Sequence, residues 1–273
     1  MGTIKENIAI SIVTVGMNHL NYMKDFLKSV FITQPPKVDF ELIYIDNCSS
    51  DGSVDFIKKN YPAIIIIENQ TPLGFGENNN LGVAHANGEY IAIINPDIVL
   101  LENALDDLYY YLSSQEKDLI LAPKLLNPDK SIQNSVREFM TLYVFIMRFF
   151  SKGNDNTNNK KIRNYLYKDI DYDQIQFVDW AIGAALFMRK KHFEKLNGFD
   201  KDYFLYFEDV DLCYRSWELN FPVVYYPKSQ MVHNHLRAST KFNKKTIMHF
   251  KSMFIFFKKH GYFISKKYNK LNH

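Results

Sequence analysis

The feature that most constrains this chain is the alternation, through its first half, of short apolar runs with helix-like segments. Ile8–Val15, Glu41–Asp46, Ala63–Ile67, Tyr90–Ile94 and Leu119–Ala122 read as strands buried on both faces. Between them His19–Ile32, Ser53–Asn60, Glu77–Ala86 and Asn103–Ser114 read as helices. This spacing predicts βαβ units and a mainly parallel sheet. Such sheets bind ligands beyond the carboxyl ends of their strands, so the residues that follow each strand matter most.

Downstream, the polar, Asn/Lys-rich stretch Ser151–Lys161 is the best internal loop or boundary. An apolar strand over Phe177–Met188, a helix over about Phe207–Asn220 and a strand over Val223–Tyr226 follow. The segment from about Asn243 to His260 sets Ile247, Phe250, Phe254 and Phe257 at helical spacing, with Lys244, Lys251 and Lys258 on another face. This is an amphipathic basic helix.

At 273 residues the chain is one large domain or two small ones, and 47% apolar content excludes a disordered or fibrous chain. The net charge of +3 conceals a split. Residues 241–273 hold nine Lys and no acid; taking those nine from 33 basic residues leaves 24 against 30 acids, a net of −6 for residues 1–240. Cys48 and Cys213 lie far apart and suggest neither a disulfide framework nor a metal knuckle, which points to a reducing compartment. No uncharged apolar run reaches the roughly 18–20 residues that span a bilayer; Phe139–Phe150 is short and contains Arg148. Ile8–Val15 is a first strand rather than a signal peptide.

The strand ends carry polar clusters. Asp46-Asn47-Cys48-Ser49-Ser50-Asp51-Gly52-Ser53 follows the second strand; an acid placed like Asp46 accepts hydrogen bonds from a ribose or base, while Asp51 or Ser50 suits a helix cap. After the third strand Leu73-Gly74-Phe75-Gly76-Glu77-Asn78-Asn79-Asn80 opens a helix, and amides at a helix start suit a diphosphate, although a plain turn explains this run as well. The turn Val15-Gly16-Met17-Asn18 lacks the glycine repeat of a nicotinamide or flavin fold. Asn95-Pro96-Asp97 closes the fourth strand, where a carboxylate can hold a divalent cation or simply build a turn. Further on come Asp179-Trp180-Ala181-Ile182-Gly183-Ala184, Asn197-Gly198-Phe199-Asp200 and Phe207-Glu208-Asp209-Val210-Asp211-Leu212-Cys213-Tyr214-Arg215. Asp211 and Arg215, four apart, read as a surface ion pair. Glu208 is a first-turn helix charge, and Asp209 facing an aromatic cleft is a candidate general base.

In that order, from about Ile8 to Thr240, these motifs resemble glycosyltransferase family 2, the inverting GT-A-fold nucleotide-sugar transferases, and especially its rhamnosyltransferase-like branch. The resemblance implies an α/β fold: a Rossmann-like mixed, mainly parallel sheet flanked by helices, with a C-terminal basic amphipathic helix. It divides the chain into a transferase domain over 1–240, with a nucleotide-binding half of about 1–125 and an acceptor half of about 126–240, and a tail over 241–273. It implies that Val15, Gly16, Asn18, Asp46, Asn47, Gly74, Asn79, Asn95 and Asp97 bind the nucleotide-sugar. Asp97 would also hold Mg2+ or Mn2+ together with His233 or His235. Asp209, with Glu208 beside it, would be the catalytic base, and Trp180, Gly183 and Asp211 would lie on the acceptor side. Met17, Glu77-Asn78 and Asn234-His235-Leu236-Arg237 depart from the family's usual residues, which bears on the donor more than on the reaction.

The implied activity is transfer of a sugar from dTDP-rhamnose or a UDP-sugar to a hydroxyl of a glycan or lipid-linked acceptor, in bacterial surface polysaccharide synthesis. Its place would be the cytoplasm, peripheral on the inner face of the membrane. Trp180 is either a sugar-stacking platform or a core residue. The nine lysines and eight aromatic residues of 241–273 suit an anionic membrane surface better than nucleic acid, and packing on the domain explains the helix equally. The competing readings are a non-catalytic nucleotide-sugar-binding protein on the same fold and a nucleotidyltransferase.

Overall fold

A computed structural model of the chain describes residues 8–150, 158–234 and 244–261. The first half runs β1 (Ile10–Gly16), α1 (Leu20–Lys28, continued by a π-helical turn to Thr33), β2 (Phe40–Asp46), α2 (Ser53–Asn60), β3 (Ile65–Glu68), α3 (Phe75–Ala84), β4 (Tyr90–Ile94), β5 (Ile98–Leu100), α4 (Ala104–Ser113) and β6 (Ile120–Leu126). The second runs β7 (Val136–Arg137), α5 (Leu142–Phe150), α6 (Lys160–Tyr165), β8 (Gln176–Val178), β9 (Trp180–Ala181), β10 (Ala185–Arg189), α7 (Lys190–Lys195), α8 (Glu208–Glu218), β11 (Val223–His233) and α9 (Lys244–His260).

Successive residues of the central strands enter different cores, as a period of two requires. Val13, Ile43, Ile45, Ile91 and Ile93 join one core. Ile12, Leu42, Tyr44, Ala92 and Ile94 join the other. Helices α1, α2 and α4 cover the second face with Met23, Phe26, Ile57 and Leu108. Helices α3, α8 and α9 cover the first with Val83, Leu212 and Phe256. The sheet order is β3-β2-β1-β4-β10-β6-β11-β5, with β8 also on β11. The β1–β4 and β1–β2–β3 pairs are parallel, β10 is antiparallel to β4 and β6, and β7 pairs with β9 in a separate ribbon. The sheet is therefore mixed and mainly parallel in its nucleotide-side half.

Three expectations need correction. The run 177–188 is not one strand. Asp179, fully buried, accepts the amide of Phe139 (2.8 Å) and interrupts pairing, and the chain turns again at Gly183 before β10. The last strand does not stop at Tyr226; after a bulge between Tyr226 and Gln230 that contains Pro227, β11 continues to His233 against β5. The third concerns α9. Its inward face is Met253, Phe256 and Phe257, whereas Ile247 and Phe254 point outward with Lys251 and Lys258. The helix is turned this way because Lys259 pairs with Asp200 and Asp202, and His260 pairs with Asp211 (2.7 Å).

Candidate active site

The carboxyl ends of the first three strands are knitted into one rim. Gly16 stands opposite Asp46 across the parallel ladder, and the amide of Asn47 donates to the Gly16 carbonyl at 2.8 Å. Val15 beside it is half-buried. Asn18 has positive φ (58°); its amide donates to Ser49 Oγ and its side-chain oxygen accepts the Ser50 amide at 2.8 Å. Asp46 is 4% exposed and takes the Tyr44 hydroxyl on Oδ1 and the Ser49 amide on Oδ2, both at 2.9 Å. Each carboxylate oxygen keeps a further lone pair for a ligand hydroxyl. Asp51 caps both neighbouring helices, through the amides of Leu20 and Ser53.

Asn47 clamps the loop after β3 in both directions, accepting the Leu73 amide (2.9 Å) and donating to the Leu73 carbonyl (3.1 Å). Gly74 begins α3 where a Cβ would lie 2.8 Å from the Phe204 carbonyl oxygen, so only glycine admits that close approach. The same oxygen accepts the Phe75 amide at 3.0 Å. The first free amide of α3 is thus already used by the 199–207 segment, and that amide is not available to a diphosphate. Asn79 is buried and bonds back to the Phe75 carbonyl (2.9 Å), which makes it a helix-internal residue.

Strand register builds the second cluster. The amide of Asn95 donates to the Ala184 carbonyl (2.9 Å), fixing the end of β4 against the turn before β10. In the antiparallel β5–β11 pair His233 is opposite Ile98, and the Asn234 amide donates to the Asp97 carbonyl at 2.8 Å. His233 Nε2 lies 3.4 Å from Asp97 Oδ2. Gln133 Nε2 donates to Asn127 Oδ1, which leaves Gln133 Oε1 2.7 Å from His233 Nδ1 as the acceptor of its proton. The imidazole therefore turns Nε2 towards the carboxylate. A carboxylate oxygen and an imidazole nitrogen so arranged are a donor pair for a divalent cation, with the ring held by a neighbouring side chain. Among the described residues no group of three or more such ligands forms, so the rest of a coordination shell would come from water or substrate oxygens. His235 lies outside the described residues.

The start of α8 carries the third cluster. Asp209 Oδ2 accepts the Gly183 amide at 2.8 Å and Oδ1 accepts the Val210 amide at 2.8 Å. A Cβ on Gly183 would lie 3.3 Å from Asp209 Cβ and 3.4 Å from the Phe75 ring, so the turn packs closely on the carboxylate. Glu208 is 5% exposed, and its Oε2 has no hydrogen-bond partner among the described residues. Burial raises both carboxyls, and the Asp209 charge raises Glu208 further. The two amides and the Arg137 guanidinium work against the rise at Asp209. Of the pair, Glu208 is raised further, so Asp209 is the first to give up its proton.

Trp180 is 6% exposed, and its indole N–H donates to the Glu138 carbonyl at 2.8 Å. It is a core residue whose ring lies under the Arg137 guanidinium. The acceptor-side expectation for Asp211 also changes. Far from forming a surface pair, it is fully buried and accepts from Arg215 (2.6 Å), His260 (2.7 Å) and Tyr203 (3.3 Å). That leaves it no reach to an acceptor and makes it the tie between α8 and α9. Gln133, Arg137 and the Phe204 carbonyl were missed because their roles come from strand pairing and loop closure, which no local motif announces.

The sequence pattern of Glycosyl transferase family 2 matches residues 11–196. Rhamnosyltransferase WbbL of Escherichia coli (strain K12) is 29% identical over 255 residues, covering 90% of this chain and 91% of that one. An N-acetylglucosaminyl-diphospho-decaprenol L-rhamnosyltransferase of Mycobacterium tuberculosis (strain ATCC 25618 / H37Rv) is 24% identical over 264 residues, covering 90% and 83%. The crystal structure of GalNAc-T7 with UDP, GalNAc and Mn2+ shares the fold, with a TM-score of 0.63 at 15% identity over 87% of this chain. The chain spans 46% of that solved protein's length.

Proposed function

Because the chain belongs to glycosyltransferase family 2, we propose that its three clusters are the donor rim, the cation pair and the base of a single inverting sugar transfer. The protein is a nucleotide-sugar glycosyltransferase of bacterial glycan synthesis. Its proposed donor is a nucleotide-diphospho-sugar, dTDP-rhamnose ahead of a UDP-sugar because two rhamnosyltransferases align over nine-tenths of the chain. Its proposed acceptor is a hydroxyl of a lipid-linked saccharide.

The observation that carries the reading is Asp209, a carboxylate held by two amides, one of them from Gly183, next to Ala184, whose carbonyl accepts the Asn95 amide of the Asn95-Pro96-Asp97 run. Asp209 takes the proton of the acceptor hydroxyl as its oxygen bonds to the anomeric carbon. The bond from that carbon to the diphosphate breaks on the opposite face, and the nucleoside diphosphate departs with its electron pair. One displacement inverts the configuration. A carboxylate is basic enough because the hydroxyl becomes acidic only as the new bond forms. Asp46 and the 16–18 turn support nucleoside binding by their place at the rim.

Asp97 and His233 would hold Mg2+ or Mn2+, and their oxygen and nitrogen donors fit such an ion. When bound, that cation neutralises charge gathering on the leaving diphosphate. Chelation lowers turnover in this account, and unchanged turnover in excess chelator contradicts it.

We further propose that residues 1–240 carry the transfer while 241–273 seat the enzyme at the inner face of the membrane. Helix α9 exposes Ile247 and Phe254 alternating with Lys251 and Lys258, a composition suited to an anionic interface. Among the described residues no helix is long and apolar enough to cross a membrane. Vesicle co-sedimentation with and without phosphatidylglycerol tests this; binding that ignores both lipid charge and an I247S/F254S change contradicts it.

The decisive experiment for the activity is product analysis of dTDP-rhamnose with an N-acetylglucosaminyl-diphospho-lipid. A disaccharide-lipid and free dTDP are expected. Release of pyrophosphate instead would identify a nucleotidyltransferase.

A further inference from the structure

We propose that Arg137 is an acceptor-binding residue, whose guanidinium holds the phosphate that joins the acceptor saccharide to its lipid. This rests on the glycosyltransfer reading above and names the acceptor's anionic group as what the site recognises.

Among the described residues three other arginines are paired with acids. Arg163 pairs with Asp169, Arg189 with Asp118 and Arg215 with Asp211. Arg137 makes no hydrogen bond or ion pair among the described residues, and its Nε is buried without a partner. Its nearest company is aromatic, the Trp180 ring at 5.6 Å and the Tyr165 ring at 6.0 Å. Ring faces attract a guanidinium without neutralising it. Asp209 feels the Arg137 charge, but no carboxylate lies within ion-pair distance among the described residues, so the guanidinium is open to an incoming anion. The flat fork of arginine matches two phosphate oxygens at once.

Its position selects which anion. Arg137 lies on β7 opposite Trp180 of β9, and the next residues of that turn lead to Gly183, whose amide holds Asp209. Its field reaches Asp209, where it favours the carboxylate, and His249 of α9, which it and Arg148 disfavour from protonating. Arg148 lies over the same Tyr165 ring, at 5.5 Å. Arg137 thus stands between the Tyr165 and Trp180 rings on the strand that leads towards the base. The leaving diphosphate has its own provision at Asp97 and His233, organised by Gln133. Gln133 and Arg137 are four residues apart, so one segment of at most ~14 Å orients both ends of the site.

What lies beyond Arg137 fits the rest of such an acceptor. Helix α5 begins five residues later and exposes Leu142, Tyr143, Ile146 and Phe150. These fall at i, i+1, i+4 and i+8, one side of a helix. An anion site flanked by an exposed apolar face suits a prenyl phosphate better than a free sugar.

The test is titration of the full chain, loaded with dTDP and Mn2+, with farnesyl diphosphate, followed by kinetics on an N-acetylglucosaminyl-diphospho-lipid and on an uncharged alkyl N-acetylglucosaminide. R137Q is expected to weaken farnesyl diphosphate about tenfold and to raise KM for the phosphorylated acceptor about as much. Its dTDP affinity, its KM for the uncharged acceptor and its melting temperature stay near wild type. R137K, which keeps charge but not the fork, loses about threefold. Wild-type protein that ignores farnesyl diphosphate overturns the proposal. So does an equal loss of dTDP affinity, which would assign Arg137 to the donor. A shifted acid limb of the pH–rate profile with unchanged acceptor KM would make it a positioning residue for Asp209 and overturn it too. Failure of the underlying activity reading looks different: wild-type protein would then bind neither dTDP nor dTDP-rhamnose.

Discussion

Phe256 and Phe254 stand two residues apart on α9, and the fold assigns them opposite duties. Phe256 has no exposed surface and sits among Phe207 (5.5 Å), Tyr214 (5.8 Å) and His260 (4.9 Å). Truncating it to alanine removes a ring that nothing nearby can replace, at a cost of about 3–5 kcal/mol. With an unfolding entropy of about 2.1 cal/mol/K per residue over 273 residues, that lowers Tm by about 5–9 °C. Phe254 is 60% exposed, so its truncation changes stability by about 0.5 kcal/mol or less, roughly 1 °C. Scanning calorimetry of both variants in detergent-free buffer reads the difference directly, and limited proteolysis reports whether α9 detaches first. Equal Tm values for the two variants would refute the assignment of α9 faces and the view that this helix completes the core.

Two further outcomes follow from the site. Gln133→Ala frees the His233 ring and is expected to raise the Mn2+ concentration for half-maximal activity about 10–100-fold, with recovery at saturating metal; an unchanged metal titration would remove Gln133 from that role. Glu208 has a folded-state pKa above its unfolded value, so the native protein holds a proton the unfolded chain releases. That stability is present at acid pH and is lost as pH rises through the raised pKa. Glu208→Gln does not titrate, so its Tm advantage over wild type is expected to grow between pH 5 and pH 8; a constant difference across that range would mean Glu208 is charged in the fold.

The alternating pattern made the parallel half of the sheet legible because strands buried on both faces leave continuous apolar runs, as in Tyr90–Ile94. The antiparallel half was harder. β5 and β7 have three and two residues, too few for a period, and they exist because β11 and β9 supply partners far along the chain. Asp97 and Asp209 stood out because acids at strand ends and helix starts are conspicuous. Asp211 was misplaced for the same reason: its spacing to Arg215 looks like a surface pair, and only the packing of α9 reveals that it is buried. The amphipathic reading of α9 found the right segment and half of its inward face: Phe250 and Phe257 pack on the core, whereas Ile247 and Phe254 are exposed. Periodicity cannot report that Lys259 and His260 are drawn to acids on neighbouring elements.

The central claim is that Asp209 removes the acceptor proton. Asp209→Asn keeps the shape of the side chain and leaves one oxygen to accept the Gly183 or Val210 amide. Single-turnover transfer from dTDP-rhamnose, measured beside dTDP-rhamnose affinity, should show a rate lower by about 10²–10⁴-fold with donor affinity within about threefold of wild type. Transfer within threefold of the wild-type rate would contradict the account.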